Sequence, residues 1–510
     1  MSEFGFVGPS YEAANPLQDT QRLINWFPEV DESSGAKNVL SLLGCPGLQT
    51  IASTQVAQVR GGWVLPGNTK ALIVSGNTVY LLTVTAAAIA TTKAVFSVAS
   101  VGTILTYTGP VSIRDNGAGG IAVIVDGVNG YVYNIAGNTL TRITDAAFYG
   151  ADRVCFIDGW LVFNKPGTQT FYTSPVYWNG TAPFVATYYA LKDSSSDNLV
   201  TMYESNRELW LIGERTTEVW YDAGGPNFPF SRLQGATLQY GCSAVHSIAR
   251  LGADLVWLGQ NETGQNVVLK THGYQATPIS TQAIEYAISQ YNVVSDAIGY
   301  VYVEEGHYFY MLTFPTADVT WCYDLRSGMW HQRASYDPIL GAFHRHRSNC
   351  IINFANQRIV GDYQDGSIYI MSRTVYSDGA NPLVCVRRTP HIWDAGIAPQ
   401  YATMAAGQGM YPGGRNRVSV AALQIEFAPG VGLQAGQGSN PQAMLRISRD
   451  GGYTWGNEHW RSIGAAGATK NRCIWRRLGM ARDFVLEVRF SDPVKRDVVG
   501  ATLKASATSA

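Results

Sequence analysis

The sequence predicts an all-β protein: a β-propeller of six or seven blades, with an extended N-terminal arm before it and a C-terminal β domain after it. The first observation is a recurring hairpin of two apolar-alternating runs joined by a turn. Such units, at spacings of about 40–50 residues, are typical of propeller blades. Six strong copies and a weaker seventh occur at Leu72 to Leu82, Ile121 to Tyr133, Arg153 to Ser174, Leu209 to Tyr221, Leu255 to Ile279, Tyr308 to Gln332 and Arg358 to Met371.

Composition is the second observation. Of the 510 residues, 46% are hydrophobic and 12% aromatic, with 53 glycines and 28 tyrosines, which suits many short hairpins. Only 15% are charged, below the ~25% of an average soluble protein, which favours surfaces buried against other subunits. The net charge of −1 gives no electrostatic drive toward duplex DNA or anionic membranes. Seven scattered cysteines without a C-x-x-C pair predict reduced thiols and no zinc site.

Residues 1–60 are predicted to form the extended arm. Pro9, Pro16, Pro28 and Pro46 leave few backbone donors for a sheet. We expect the arm to lie on the body or to reach a neighbouring subunit, so that deleting residues 1 to about 40 weakens assembly more than folding. The opening residues lack the basic and apolar runs of a signal peptide, and we expect no membrane segment.

Residues 61–375 are predicted to form the propeller body. Asp-Gly and Ser-Gly pairs such as Asp158-Gly159 supply residues that tolerate the positive φ angles of hairpin turns. Helix signals are poor throughout this region. The pattern predicts one short helix from Ser280 to Ser289, with Ser280 or Thr281 as its N-cap.

The last two regions are a crossover segment, 376–416, and the C-terminal β domain, 417–510. Residues 376–416 carry Gly, Pro, Arg and Ala without a clear period. Apolar alternation changes phase between Val420 and Leu423, which predicts a β-bulge. From Phe484 to Phe490 every second residue is apolar, and Glu487 lies on the other face, so we expect a strand with one wet side.

One motif in the C-terminal domain matches the Asp-box pattern S-x-D-x-G-x-T-W. An Asp carboxylate accepts turn N–H groups there, a Gly takes a conformation that other residues resist, and the Trp packs beneath. We interpret the box as a structural hairpin turn, although sialidases carry several copies. Its residues are Ser448, Asp450, Gly452, Thr454 and Trp455.

A second candidate site is the run His344-Arg345-His346-Arg347. Residues at i and i+2 share a strand face, so the two histidines could bind one metal, but no third ligand is evident nearby. The two arginines suit a carboxylate or a phosphate better. We interpret the run as a polar or interface edge, with a partner or phosphate contact as the functional alternative. The sequence predicts no metal and no cofactor.

Catalytic constellations are not evident in the sequence. The closest acidic couple, Glu304-Glu305, points to opposite faces of a strand and cannot flank one glycosidic bond. Nucleophile-elbow, Walker and zinc-protease patterns do not occur. We therefore predict a protein that is not an enzyme.

A further observation is a set of segments spread in order along most of the chain. The most specific of them is the run from Leu211 to Tyr221. The others are 21–29, 43–48, 111–117, 126–127, 153–160, 228–230, 240–244, 280–285, 448–460 and 472–479. Together these segments resemble the tail hub proteins of short-tailed bacteriophages (podoviruses), which are also called packaged-DNA stabilisation proteins, tail accessory factors or nozzles.

The resemblance implies a virion structural protein of the tail, made in the host cytoplasm. It implies a homo-hexameric ring below the head-to-tail adaptor and portal, which plugs the channel to retain packaged DNA and later forms part of the ejection conduit. Further partners that it implies are a tail fibre or tailspike, a tail needle or plug, and the DNA that passes through the lumen.

Two other hypotheses belong to different functional classes. One is a β-propeller enzyme of the sialidase or glycanase type, and the other is a non-catalytic carbohydrate-binding tail protein. A single Asp box and a ring of subunits favour the hub. Several hidden boxes and an arginine-lined central pocket favour the enzyme, whereas sugar affinity without turnover favours the binding protein.

Overall fold

The computed structural model describes residues 2–33, 39–54, 57–86, 94–225, 228–261, 263–393 and 416–508. Most of the predicted crossover segment lies outside these ranges. Nearly all the regular secondary structure of the described chain is β-strand, which confirms the predicted fold class. The predicted helix is present as Gln282–Ser289, where the Thr281 side chain accepts a hydrogen bond from the Ile284 N–H.

Seven antiparallel sheets, each with four strand positions, form the propeller. From the inner to the outer strand, blade 1 contains Val59–Val64, Lys70–Ser75, Thr78–Ala86 and Val95–Thr103; blade 2 contains Ser112–Asp115, Ile121–Val125, Gly130–Asn134 and Thr139–Arg142; and blade 3 contains Val154–Ile157, Trp160–Asn164, Thr170–Thr173 and Tyr189–Leu191. Blade 4 contains Leu199–Ser205, Glu208–Gly213, Thr217–Asp222 and Phe230–Leu238, and blade 5 contains Gly241–Cys242 and Ala249–Leu251 (one interrupted inner strand), Asp254–Gln260, Asn266–His272 and Gln275–Pro278. Blade 6 contains Ile298–Glu304, His307–Phe314, Val319–Asp324 and Met329–Gln332, and blade 7 contains Ser348–Phe354, Gln357–Asp362, Ser367–Ser372 and Gly47–Ser53.

The ring closes through a strand from the beginning of the chain. Gly47–Ser53 adds to the outer edge of blade 7, while the inner strand of blade 7 packs against that of blade 1. Apolar layers between neighbouring blades form most of the propeller core. Because each hairpin buries one face against the next blade, no blade has a closed core of its own.

The C-terminal domain is a β-sandwich that the N-terminal segment completes. Its two sheets enclose one core in which Trp475, Phe484 and Leu486 are buried. The first sheet contains Trp26–Val30, Leu40–Gly44, Val498–Thr508, Arg417–Phe427 and Cys473–Ala481, with Ser2–Glu3 at its side. The second contains Tyr11–Glu12, Thr20–Ile24, Cys385–Arg388, Val485–Phe490, Gln442–Ser448 and His459–Ser462.

The described part of the N-terminal segment lies on the body, one of the two placements expected for it, and its side chains enter the sandwich core. Phe6, Leu23 and Trp26 lie in the sandwich core with at most 1% exposure. Thr20–Ile24 also touches blade 6, where Ile24 pairs in parallel with Gln332, so the sandwich sheet and blade 6 are continuous. Because these side chains belong to the core, we expect that deleting the segment destabilises the fold itself.

Buried polar side chains tie this segment in place. Asn25, with φ +56°, donates from its amide to the Ala334 and Val384 carbonyls, both at 2.8 Å. Arg387 donates to the Phe6 carbonyl at 2.6 Å, to the Pro9 carbonyl at 3.0 Å and to the Gln21 side chain at 2.7 Å. Each bond satisfies a buried group that would otherwise be costly to desolvate.

Two smaller connections complete the fold. A hairpin of Ala334–Asp337 and Ala342–Arg345 leaves the ring between blades 6 and 7 and exposes Ile339 and Leu340 at its tip. Beyond blade 7, Ser377–Asp378 and Asn381–Pro382 pair within the part of the crossover that is described. All seven cysteines are free thiols, and Cys350 alone among them is not fully buried.

In the sandwich, one detailed prediction is confirmed and another is wrong. The register shifts between Val420 and Ala422, which is the predicted bulge. Glu487, expected on a wet face, is only 2% exposed. The reason is that Arg388, Arg446 and Arg489 surround its carboxylate and exclude water from that face.

Candidate functional site

The Asp-box residues form a compact turn at the end of Gln442–Ser448. The Asp450 carboxylate accepts from the Thr454 N–H at 2.9 and 3.0 Å and from its hydroxyl at 2.5 Å. Ser448 Oγ donates to Asp450 at 2.7 Å and accepts from the Gly452 N–H at 2.8 Å. These hydrogen bonds, those from Thr454 first, lower the pKa of Asp450 to about 2. Gly452 has φ +100°, a conformation that other residues resist.

Trp455 joins this turn to a charged layer on the sandwich. The Arg388 and Arg446 guanidinium groups lie 4.9 and 5.6 Å from its ring centroid, within cation–π range. Both arginines also pair with Glu487. Burial raises the pKa of Glu487, but the neighbouring arginines outweigh burial and hold it below its usual value. The box lies in the sandwich and anchors a hairpin there, away from the propeller axis.

The His344–Arg347 run does not form one convergent site. His344 Nδ1 lies 2.7 Å from Asp318 Oδ2, whereas His346 is fully buried between Arg333 and Ser348. Burial, reinforced by Arg333 and Arg347, holds the pKa of His346 well below its usual value. The strand ends at Arg345 and the chain turns, so the two histidines meet different partners.

The two arginines of the run are also engaged inside the fold. Arg345 stacks 3.8 Å over the Tyr363 ring, and Arg347 donates to the buried Asp362 at 2.8 Å. Of the four side chains, His344 has the largest exposed fraction, although it contacts Asp318. Among the residues that the structure describes, no three His, Cys, Asp or Glu side chains are grouped to hold a metal ion.

The propeller axis holds a set of residues that the sequence analysis did not select. The inner strands of all seven blades line a channel of about 380 Å³. Its wall carries Arg114, Arg153 and Arg250, and the rings of Trp63 and Tyr203. A signal for this set exists in the sequence, because an arginine recurs on or beside the inner strand of blades 1, 2, 3 and 5.

The channel arginines differ in how they are partnered. Arg114 donates from Nε to Glu204 Oε1 at 3.0 Å and stacks 4.4 Å from the Trp63 ring centroid. Arg153 reaches the Ile248 carbonyl at 3.5 Å, and within the described ranges it has no carboxylate at ion-pairing distance. Burial lowers the pKa of Arg153. Arg250 donates to the Gly252 carbonyl at 3.1 Å and is exposed at the mouth.

An arginine-lined pocket is the feature that we expected to favour a sialidase-type enzyme. Tyr203 and Glu204 also stand at its mouth, the residue types of a sialidase nucleophile and base. Burial raises the pKa of Tyr203, so the phenol keeps its proton at neutral pH and is a poor nucleophile. Glu204 is engaged by Arg114 instead of contacting the Tyr203 hydroxyl. The geometry therefore suits binding better than nucleophilic catalysis.

A buried polar cluster lies between the propeller and the sandwich. Arg333 donates to the Tyr302 hydroxyl at 3.0 Å and to the Pro46 carbonyl at 2.8 Å. Arg496 donates to the Cys45 carbonyl at 3.0 Å. Asp378 is 1% exposed, and burial raises its pKa to about 6. The two arginines hold the N-terminal segment against both domains.

A seven-bladed propeller that is continuous with a β-sandwich, and whose predicted motif residues have mainly internal partners, defines a scaffold protein. The chain belongs to the family of bacteriophage P22 Gp10: the β-propeller model of that family matches residues 17–376 and its β-sandwich model matches residues 409–506. It is thus a bacteriophage tail structural protein, which confirms the resemblance seen in the sequence. The propeller match begins inside the predicted arm.

No significant match is found among curated proteins. Among the described residues, no helix is both long and apolar enough to cross a membrane.

Proposed function

We propose that the chain forms the homo-hexameric hub, or nozzle, of a short tail, below the portal and the adaptor. In this role the ring closes the channel over packaged DNA and later forms part of the ejection conduit. It also carries the tail fibres or spikes and the needle. The observation that carries the proposal is the match of both domains, in order, to one family of phage tail proteins.

The way the two domains are joined supports this role. The sandwich and blade 6 share a sheet through Thr20–Ile24, and Gly47–Ser53 closes the ring from the same segment. A subunit that bears the load of compressed DNA along the tail axis benefits from domains that do not hinge. Identical subunits of this kind close into a ring through heterologous contacts.

The charge of the chain suits a conduit. A net charge of −1 gives the chain as a whole no electrostatic attraction to the phosphate backbone, which supports rapid passage of DNA once the plug opens. Contact of the 344–347 run with a partner or a phosphate remains a proposal, and His344 is its most accessible member. The Asp box has a structural role in the same proposal.

Genome retention tests the proposal. A phage with a stop codon in the gene for this chain is grown in a host that does not suppress it, and its heads are assayed for nuclease-protected DNA. We expect heads that package DNA and then lose it, and we expect purified chain, added during lysis, to restore protection. Heads that keep their DNA without the chain would contradict the proposal.

A further inference from the structure

The propeller channel is a cavity that opens to solvent, and its wall is more polar than apolar. Its main volume of about 380 Å³ continues into a space of about 150 Å³ beside Arg60 and His246, and into a mouth of about 260 Å³ beside Glu204. A volume of this size accommodates one small organic molecule. Arg250 lies at the wider mouth, which gives a ligand access from solvent.

The wall of the channel carries excess positive charge. Glu204 balances Arg114, whereas Arg153 and Arg250 have no carboxylate partner within the described part of the chain. Arg60 has a structural role and few donors left for a ligand, because it donates to the carbonyls of Gly76, Thr106, Thr108 and Gly109. Burial, then the Arg153 charge, lowers the pKa of His246 to about 3, so that His246 stays neutral. Arg153 and Arg250 are therefore the two guanidinium groups of the wall whose positive charge no neighbouring carboxylate in the described chain neutralises.

The donors of these two groups call for an oxyanion. A guanidinium presents a planar fork that matches a carboxylate or a phosphate, and a desolvated one costs free energy until an anion neutralises it. Arg153 lies 5.8 Å from the Tyr203 ring centroid, which positions its fork beside an aromatic face. The contacts that hold Arg153 leave most of its donors available to a ligand.

One acceptor in the same region favours a different group. Glu204 Oε1 accepts from Arg114, whereas its Oε2, which is buried near the Cys155 thiol, makes no hydrogen bond of ordinary geometry within the described residues. A hydroxyl is the simplest donor for such an oxygen, because it adds no charge beside Arg114. Trp63 and Tyr203 supply flat apolar faces on which a compact ring can lie. The required ligand therefore combines an oxyanion, hydroxyl groups and a small ring.

We propose that the central channel binds a small hydroxylated anion of monosaccharide size, a sugar acid or a sugar phosphate. Arg153 and Arg250 hold the oxyanion, Glu204 accepts a hydroxyl, and Trp63 and Tyr203 flank the ring. No bond is made or broken in the site. The proposal is independent of the hub role, because it rests on the channel of a single subunit.

Calorimetric titration of the purified full chain tests the site in a buffer free of phosphate and carboxylates. The probes are glucuronate, glucose 6-phosphate, glucose, acetate and inorganic phosphate. We expect saturable binding of glucuronate or glucose 6-phosphate, at least tenfold tighter than that of glucose, acetate or phosphate. Preference for glucuronate identifies a carboxylate ligand, and preference for glucose 6-phosphate a phosphate ligand.

Three variants and one control assign the binding to the channel. Arg153→Gln and Arg250→Gln should each weaken the binding at least tenfold, and Glu204→Gln should reduce the advantage of the sugar over the simple anion. Arg250 is exposed, so its variant keeps the test valid if Arg153→Gln does not fold. Arg215→Gln, an exposed arginine of blade 4 outside the channel, should change affinity less than twofold.

Several results would overturn the proposal. The absence of binding of every probe by the folded wild-type chain is one. Equal affinity for the sugar anions and for acetate or phosphate is another, because the hydroxyl contact would then be absent. Unchanged affinity in folded Arg153→Gln and Arg250→Gln would place the anion elsewhere.

Discussion

The arginines at the junction of the two domains and the arginines of the channel use the same side chain in opposite ways. Arg333, Arg387 and Arg496 are at most 1% exposed and donate to backbone carbonyls of the N-terminal segment. Arg153 and Arg250 face a cavity, and each reaches one carbonyl. A guanidinium held by its fold in several directions is a structural cross-link, whereas one with spare donors in a cavity is a recognition group.

Removing residues 1–44 should have the largest effect, because it takes out the junction. Side chains such as Phe6, Leu23, Trp26 and Leu42 are fully buried, and truncating any one costs about 2–5 kcal/mol. Their sum, about 8–20 kcal/mol, is as large as the ~5–15 kcal/mol that stabilises a typical domain. We expect loss of the cooperative thermal transition in circular dichroism. A shortened chain that still melts cooperatively at the normal temperature would show that residues 1–44 are not needed for the core.

The matched control for this deletion is the double substitution Ile339→Ser and Leu340→Ser. Both side chains are exposed at a hairpin tip, at 92% and 73%. The melting temperature should stay within a degree or two, since exposed substitutions change stability by less than about 0.5 kcal/mol. A large loss here would mean that the tip packs on something in the folded chain.

The variants Arg387→Gln and Arg153→Gln allow a direct comparison between an arginine that cross-links the fold and an arginine of the channel. Burial lowers the pKa of Arg387 to about 9, so the side chain is still charged at neutral pH, and it donates to three oxygens. Its loss should lower the free energy of unfolding by about 3 kcal/mol. Arg153→Gln should cost less than about 1 kcal/mol. Urea unfolding followed by tryptophan fluorescence measures both, and equal costs would remove the distinction.

Alkaline pH should weaken a third junction contact. His307 lies between Glu29 and Asp324; burial lowers the pKa of His307, but the two carboxylates outweigh burial and raise it above its ordinary value. This contribution is complete below the unfolded pKa, near 6.5, and is lost as pH rises through the higher folded pKa. We expect the free energy of unfolding to fall across that window. In His307→Gln the loss over the same window should disappear, and an unchanged profile would contradict the assignment.

Asp450→Ala should have the smallest effect on stability, because the Asp box is a surface turn that lies in neither the domain junction nor the channel. Removing a side chain that accepts turn N–H groups costs about 1 kcal/mol in comparable caps. The pKa of Asp450 is about 2, so the wild-type turn loses this contribution only as pH falls through about 4 to 2. Channel binding should be unchanged. A loss of binding on this substitution would link the box to the site.

Much of the fold was predictable because the signals are local. Hairpin turns, the Thr281 cap and the bulge near Val420 each depend on a few neighbouring residues. Blade count needed the structure, since the seventh blade takes one strand from Gly47–Ser53. No local pattern reveals a pairing of strands about 320 residues apart in sequence.

The strand pairing of the predicted arm has a physical explanation. Pro28 suggested a segment without ladder bonds, but it lies in an edge strand, Trp26–Val30, whose outer donors need no partner. Glu487 was misread for a related reason, since its burial depends on arginines from other strands. The sequence shows an arginine in several of the repeated hairpins. It does not show that these arginines face one cavity, because that depends on how the seven inner strands meet at the propeller axis.

The measurement that most directly tests the hub is the mass of the purified chain, alone and mixed with the portal and adaptor complex of its virion. Light scattering gives the stoichiometry, and negative-stain imaging gives the symmetry. The account predicts six copies in a ring docked on the connector. A chain that stays monomeric and does not bind the connector would contradict the hub role and leave the channel as the main lead to function.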